Sequence, residues 1–230
     1  MKFVGISDLH GKLDFDLDPV DIILIAGDIL PLNIQEYTKP SMKWIKNTFI
    51  PWCESKDAEK IILVGGNHDK YLESHEGEFK ELLKGHDKIV YLNCNFYEKD
   101  NILIYGTPLC KPFGHWYFMP PIEKQEEVYN SDYELFQLKK EGKRVIILSH
   151  DTPYGASDII TEPCFWRTEE HIGNRALRKL IDKVKPDMNI HGHIHSSNHE
   201  AEFLGETEVR NVSLVGEDYE MRYEPFYFEL

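Results

Sequence analysis

The amino-acid sequence predicts an α/β protein in which β-sheets stack on one another and helices flank them. Short runs rich in β-branched residues alternate with longer, more polar segments. The nearly continuous hydrophobicity of these runs is typical of strands that are covered on both faces. From about Glu206 onward, strand-like runs follow one another with no helical pattern between them. Alternating strands and helices followed by strands alone indicate stacked sheets with helices on the outside.

The predicted strands are short apolar runs, as expected of buried strands. Those that alternate with helical segments are residues 3–6, 22–26, 61–64, 102–105, 145–148 and 188–190. The late ones are residues 208–212 and 223–228.

Apolar residues at helical spacing predict the helices between these strands. They are a segment that ends at Pro51, a segment that ends near Gly85, and residues 122–140 and 174–184. Pro51 is expected to end the first helix, because proline lacks the N–H that continues the hydrogen-bond ladder. Residues 107–121 are rich in proline, glycine and aromatic residues and are predicted to be a long surface loop.

Length and charge limit the kinds of partner. The 230 residues fit a single domain over residues 1–230. The formal net charge of −14, from 40 acidic and 26 basic residues, would repel a polyanion. We therefore expect neither general nucleic-acid binding nor docking to an anionic membrane. The oligomeric state is left open by the sequence.

The beginning of the chain and its cysteines predict a location. Met1 is followed almost directly by the first predicted strand, so we expect no signal peptide and a cytoplasmic protein. The cysteines form no CxxC pair, and we expect buried, reduced thiols. Their positions are Cys53, Cys94, Cys110 and Cys164.

Five short motifs follow predicted strands directly. In open α/β sheets the loops beyond the carboxyl ends of the strands converge, so residues far apart in sequence are expected to meet there. The motifs are Asp8-Leu9-His10, Gly27-Asp28, Gly66-Asn67-His68-Asp69, Ser149-His150 and Gly192-His193-Ile194-His195.

The residue types in these motifs are ligands for divalent metal ions. Aspartate and neutral imidazole bind borderline metals strongly, and an asparagine carbonyl adds a weaker oxygen ligand. The donor set favours manganese, iron, nickel or zinc over calcium. Asp28 is the natural bridging carboxylate between two ions, since its two oxygens can bind one each. Two such ions would generate hydroxide near neutral pH for attack on phosphorus.

In this order the motifs resemble the calcineurin-like metallophosphoesterase superfamily, whose pattern is DxH, GD, GNH(E/D), H and GHxH. The resemblance extends from Asp8 to His195. It implies a four-layer α/β/β/α sandwich with two mixed β-sheets flanked by helices and a dinuclear metal centre at one edge. More loosely, the loops at 107–121 and 150–153 are similar to those of the smaller phosphodiesterase-like branch.

The resemblance also implies a role for each site residue. His68 would be an unligated general acid beside the leaving group, with Asp69 holding its ring, while a metal-bridging hydroxide attacks. One metal ion would be bound by Asp8, His10, Asp28 and His195, and the other by Asp28, Asn67, His150 and His193.

The expected substrate is a small phosphate ester, and a diester is favoured. Protein phosphatases of the superfamily carry an arginine shortly after the GD motif and another just before GNH, and neither is present here. A dianionic monoester gains most from such bidentate cations. The alternative is a phosphomonoesterase in which Lys70 or Lys111 supplies the positive charge.

Two further alternatives follow from the sequence. A member of the superfamily serves as a non-catalytic protein-binding scaffold, but it lacks the histidine that corresponds to His68, so an enzyme is favoured here. The aromatic residues of the 107–121 loop are expected to pack over the core, with a wall of the substrate cleft as the alternative. They are Phe113, Trp116, Tyr117 and Phe118.

Overall fold

The computed structural model describes residues 1–161 and 170–230. A five-stranded sheet contains four neighbouring parallel strands with an antiparallel strand at one edge. In spatial order its strands are β11 (Phe226–Glu229), β1 (Lys2–Ile6), β2 (Val20–Ile25), β3 (Ala58–Leu63) and β4 (Ile89–Tyr91).

A six-stranded sheet has four parallel strands in its centre and an antiparallel strand at each edge. In spatial order its strands are β5 (Asn95–Lys99), β6 (Ile102–Thr107), β7 (Arg144–Ser149), β8 (Met188–His191), β10 (Thr207–Asn211) and β9 (Glu202–Leu204). Both sheets are therefore mixed, as the resemblance implied.

Helices cover the outer face of each sheet. The first sheet packs against α1 (Thr38–Trp44), α2 (Ile50–Ser55), α3 (Lys70–Ser74) and α4 (Glu76–Leu82). The second packs against α5 (Ile122–Lys139) and α6 (Arg175–Val184).

Side chains that alternate along the strands separate the layers. Phe3 points into a hydrophobic layer between the two sheets, whereas Val4 points to the helices outside. On the second sheet Ile104 and Tyr105 divide in the same way. This period-two alternation is what a strand buried on both faces requires. The predicted four-layer α/β/β/α sandwich is confirmed.

The prediction that Pro51 ends the first helix is wrong. A π-helical turn (Ile45–Phe49) follows α1 directly, and α2 begins at Ile50, so Pro51 lies in a first helical turn. Proline is tolerated there because the N–H that it lacks would have no partner in a new helix. The turn directly before it is π-helical, which is wider than an α-helical turn.

Within the described parts of the chain, no helix combines the length and the hydrophobicity needed to cross a membrane. Cys53 and Cys110 are buried free thiols, and Cys94 is a half-buried one. Cys164 lies outside the described residues.

Candidate metal centre

The predicted metal ligands lie in the loops that follow β1, β2, β3, β7 and β8. Backbone hydrogen bonds join these loops within each sheet. The Asp8 amide donates to the Gly27 carbonyl (3.1 Å), and the Gly192 amide donates to the His150 carbonyl (3.2 Å). The structure brings the predicted ligands into one connected cluster. They are Asp8, His10, Asp28, Asn67, His150, His193 and His195.

Several of these residues have a left-handed backbone. The φ angles are 55° at Asp8, 42° at His10, 52° at Asp28 and 72° at His193. Side-chain-bearing residues rarely adopt this conformation, although aspartate and histidine tolerate it better than most. Each such residue costs roughly 1–3 kcal/mol, and they concentrate at functional sites. We infer that the site, and not local preference, determines the shape of these loops.

Two glycines leave room for the carboxylates. A Cβ atom at Gly66 would collide with the side chain of Asp28, and one at Gly192 would collide with the carboxylate of Asp8. Any larger residue would therefore push a carboxylate oxygen of the cluster out of place. This close approach explains why glycine precedes the ligand in both motifs.

One group of donors consists of Asp8, His10 and His195. A ligand atom from each lies within 4.8 Å of the others. The Nε2 atom of His195 is 3.3 Å from Oδ1 of Asp8. The Nε2 atom of His10 is 3.8 Å from Oδ2 of Asp28, which connects this group to the second one.

The second group is arranged around His150. Its Nε2 atom lies 3.4 Å from Oδ2 of Asp28 and 3.0 Å from Oδ1 of Asn67. The ring of His193 is 5.0 Å from the ring of His150, measured between centroids. The thiol of Cys110 also lies within 4.8 Å of a ring nitrogen of each of these histidines, a contact that the motifs did not predict. Asp28 adjoins both groups, as expected of a bridging ligand.

Hydrogen bonds to backbone carbonyls orient two of the imidazoles. Nδ1 of His150 donates to the Ala26 carbonyl (2.7 Å), and Nδ1 of His195 donates to the Gly216 carbonyl (3.1 Å). A carbonyl can only accept, so each of these Nδ1 atoms carries a proton and each Nε2 atom faces a carboxylate. Both ring nitrogens of His10 are buried without a hydrogen-bond partner among the described residues. Imidazole nitrogens and carboxylates that face one another in a buried cluster need positive charge between them, and these residues fit divalent metal ions that would supply it.

The protonation states agree with metal binding. Burial lowers the pKa of His10 to about 4 and that of His193 to about 3, so both rings are neutral near pH 7. Neutral imidazole is the form that binds metal. Burial alone would lower the pKa of His150, but the charge of Asp28 raises it to about 10. A metal ion that binds between these two side chains would displace the proton.

His68 is held by a residue that the motifs did not indicate. Its Nδ1 atom is 2.9 Å from Oε1 of Gln35, and both side chains are buried. Its backbone amide donates to Oδ1 of Asp28 (2.8 Å), which links the predicted acid to the predicted bridge. Among the described residues, no group is hydrogen-bonded to its Nε2 atom.

The prediction that Asp69 holds the His68 ring is corrected by these contacts. The Asp69 carboxylate accepts hydrogen bonds from the backbone amides of Ile29, Leu30 and Gly66 at 2.9 to 3.2 Å. Burial and the charge of Asp28 raise the pKa of Asp69 to about 7. Asp69 therefore connects the loops after β2 and β3, and its role is structural.

A cavity of about 680 Å³ opens on the metal centre. Trp116 lies over His68 with 4.3 Å between ring centroids, and Phe113 lies 5.4 Å from the ring of His193. Both line the cavity, whereas Phe118 is buried in the core beneath the first helical layer. The aromatic loop therefore has both predicted roles, divided between different residues. Tyr219, which the motifs did not indicate, also lines the cavity.

The sandwich and its buried cluster of carboxylates and imidazoles define a metal-dependent hydrolase. The sequence model of the calcineurin-like phosphoesterases matches residues 1–197, and the chain belongs to this family. Membership implies metal-dependent hydrolysis of phosphate esters.

Two proteins from other organisms are similar to most or all of this chain. The uncharacterized protein MJ1162 of Methanocaldococcus jannaschii is 28% identical over 222 residues, which cover 93% of this chain and 88% of the relative. The UPF0046 protein T07D4.2 of Caenorhabditis elegans is 25% identical over 263 residues, which cover 100% of this chain and 60% of that protein.

Solved structures show the same fold at low sequence identity. The protein TT1561 of Thermus thermophilus has a TM-score of 0.60 and 15% identity, covering 91% of this chain and 88% of that one. The phosphopantetheinyl hydrolase PptH from Mycobacterium tuberculosis has a TM-score of 0.59 and 12% identity, covering 95% and 90%. These similarities concern the fold alone.

Proposed function

We propose that the chain is a two-metal phosphodiesterase that acts on small phosphate esters, with His68 as general acid. One observation supports this most directly. Metal donors from five loops meet in a buried cluster, and a histidine outside that donor set lies beside them at the wall of the cavity. We further propose that the protein works in the cytoplasm, as expected from its sequence.

Two divalent ions, bound by the donor groups described above with Asp28 between them, would acidify water and offset negative charge on the phosphate. The remaining steps belong to the side chains. His68, oriented through Nδ1 by Gln35, directs Nε2 to the cavity and protonates the departing oxygen there. Trp116 covers the His68 ring and limits the access of bulk water to that proton.

The charges around the cavity support a diester. Among the described residues that line it, Lys111 is the one with a cationic side chain, and its ammonium group donates to the carbonyl of Ile172. Asp151 and Glu217 line the same cavity. A second negative charge on the substrate would meet these carboxylates without an arginine to offset them, so a monoanionic diester binds at lower cost.

A comparison of matched esters tests the preference. With the metal-loaded protein, kcat/KM for bis(p-nitrophenyl) phosphate should exceed that for p-nitrophenyl phosphate by about tenfold or more. This factor corresponds to the free energy of about one charge-assisted hydrogen bond, which the missing arginine would have supplied to the monoester. Both esters release the same phenol, so the ratio reports the second substituent on phosphorus. A ratio in favour of the monoester would identify a phosphomonoesterase.

Removal of metal should abolish turnover of either ester. We expect close to two ions per chain by elemental analysis, and recovery with manganese, iron, nickel or zinc but not with calcium, because the donor set contains four imidazoles. Circular dichroism before and after chelation separates loss of metal from loss of fold. Full activity after exhaustive chelation would disprove the two-metal assignment.

A further inference from the structure

A hairpin near the C-terminus, residues 215–221, reaches into the site. The Gly216 carbonyl accepts a hydrogen bond from Nδ1 of His195 (3.1 Å). The Glu217 carboxylate accepts from the amide (3.1 Å) and the hydroxyl (2.8 Å) of Ser196. The hairpin is therefore attached to the loop that carries the His-x-His motif. It lies beyond residues 1–197, the part of the chain that the family shares.

Tyr219 is at the tip of this hairpin and in contact with the site. The centroid of its ring lies 4.8 Å from that of His10, 5.2 Å from that of His195 and 6.2 Å from that of His68, edge-on in each case. It thus lies beside the donors of one predicted metal ion and close to the predicted acid. The side chain is half-buried and lines the cavity. No protein group among the described residues is hydrogen-bonded to its hydroxyl.

The turn itself does not explain a tyrosine at this position. The φ angle of Tyr219 is 61°, a left-handed conformation that is a genuine outlier for a bulky aromatic residue. Glycine or asparagine would fit such a turn with less strain. Residues held in sparsely populated conformations cluster at active sites, where the surrounding structure stabilises them. The strain thus points to a function of the side chain.

The chemistry of the cavity indicates which function. Besides the predicted bridging residue Asp28, the lining residues supply two carboxylates and, in the described part of the chain, one ammonium group, which already donates to a carbonyl. An oxygen of the scissile phosphate that is not bound to metal therefore needs a neutral donor. A phenol remains protonated near pH 7 and can donate its O–H.

We propose that Tyr219 is a catalytic residue whose hydroxyl donates a hydrogen bond to a non-bridging oxygen of the scissile phosphate. This inference rests on the proposed function and adds to it a residue from outside the shared family motifs. A hydroxyl donor that is already in position before the reaction begins stabilises the charge that grows on this oxygen in the transition state. Its effect should therefore be larger on kcat than on KM.

Tyr219→Phe in the metal-loaded full chain tests the proposal, because it removes the hydroxyl and keeps the ring. We expect unchanged metal content and Tm, and a fall in kcat of about 10- to 100-fold, typical of a hydrogen bond to a charged group. Calorimetry with inorganic phosphate should show affinity weakened by about tenfold. Tyr97→Phe is the matched control, since Tyr97 lies on β5 and packs against the layer between the sheets. It should change neither kcat nor phosphate affinity.

The outcomes separate this inference from the proposed function. If kcat and phosphate affinity are both unchanged in Tyr219→Phe, the hydroxyl has no role and the inference is wrong. If the variant loses a metal ion, Tyr219 is a metal ligand and the inference is equally wrong. If the wild type hydrolyses no ester, the proposed function fails, and phosphate affinity alone then decides whether Tyr219 binds the phosphate. Tyr219→Gly should retain or raise Tm by relieving the backbone strain, whereas a purely structural tyrosine would lower it.

Discussion

Asp28→Asn is expected to leave the protein folded and unable to retain either metal ion at normal affinity. Asp28 lies between the two donor groups, with Oδ2 3.4 Å from Nε2 of His150 and 3.8 Å from Nε2 of His10. An amide keeps the shape of the side chain and can still accept the bond from the His68 amide (2.8 Å). It removes the negative charge that the carboxylate places between two cations.

Removing a group that is hydrogen-bonded to a metal ligand lowers metal affinity by roughly 10- to 100-fold. Asp28→Asn should lower metal affinity by more than this. Calorimetric titration of the metal-free protein with zinc or manganese measures the metal affinity of both sites. Asn67→Ala is the comparison, because Asn67 is hydrogen-bonded to His150 of the second donor group (3.0 Å), so that its loss should weaken mainly one site. If Asp28→Asn left one site at wild-type affinity, the bridging role would be excluded.

The fold was predictable where the sequence pattern reflects burial. The inner strands lie between two hydrophobic layers, and their near-continuous apolar runs are visible in the sequence. The edge strands β4, β5 and β9 were missed, because half-exposed residues interrupt their pattern and β4 and β9 are only three residues long. Pro51 misled the prediction because whether proline ends a helix depends on the turn that precedes it, which the sequence does not reveal.

The convergence of the predicted metal ligands was predictable because each follows a strand closely. Their neighbours in space were not, since the packing of distant loops determines them. Gln35 reaches His68 from a separate loop, and Tyr219 comes from a hairpin beyond the shared family region. Asp69 shows the converse error, in which a neighbour in sequence was taken for a neighbour in space. Adjacent side chains diverge, and Asp69 points to the amides of the loop after β2.

His68→Ala separates a catalyst from a scaffold. His68 is not a member of either donor group, so the variant should retain both metal ions and the fold. Turnover of a diester with an alkyl leaving group should fall by about 10²–10⁴-fold, the range for a positioned general acid. His86→Ala provides the control, because His86 is a surface residue paired with Glu54 and lies far in sequence from every motif.

The leaving group decides which role His68 has. An alkyl alkoxide needs a proton as it departs, whereas nitrophenolate leaves readily without one, so the mutation should affect the alkyl diester far more than the nitrophenyl diester. The ratio of the two losses is the diagnostic quantity, because a defect in folding or metal content lowers both rates alike. Equal losses with full metal content would mean that His68 binds the phosphate, and loss of one ion would make it a ligand. Gln35→Ala should show the same leaving-group dependence in weaker form. The ring of His68 then loses its hydrogen-bond partner at Nδ1, but the Nε2 atom that donates the proton is still present.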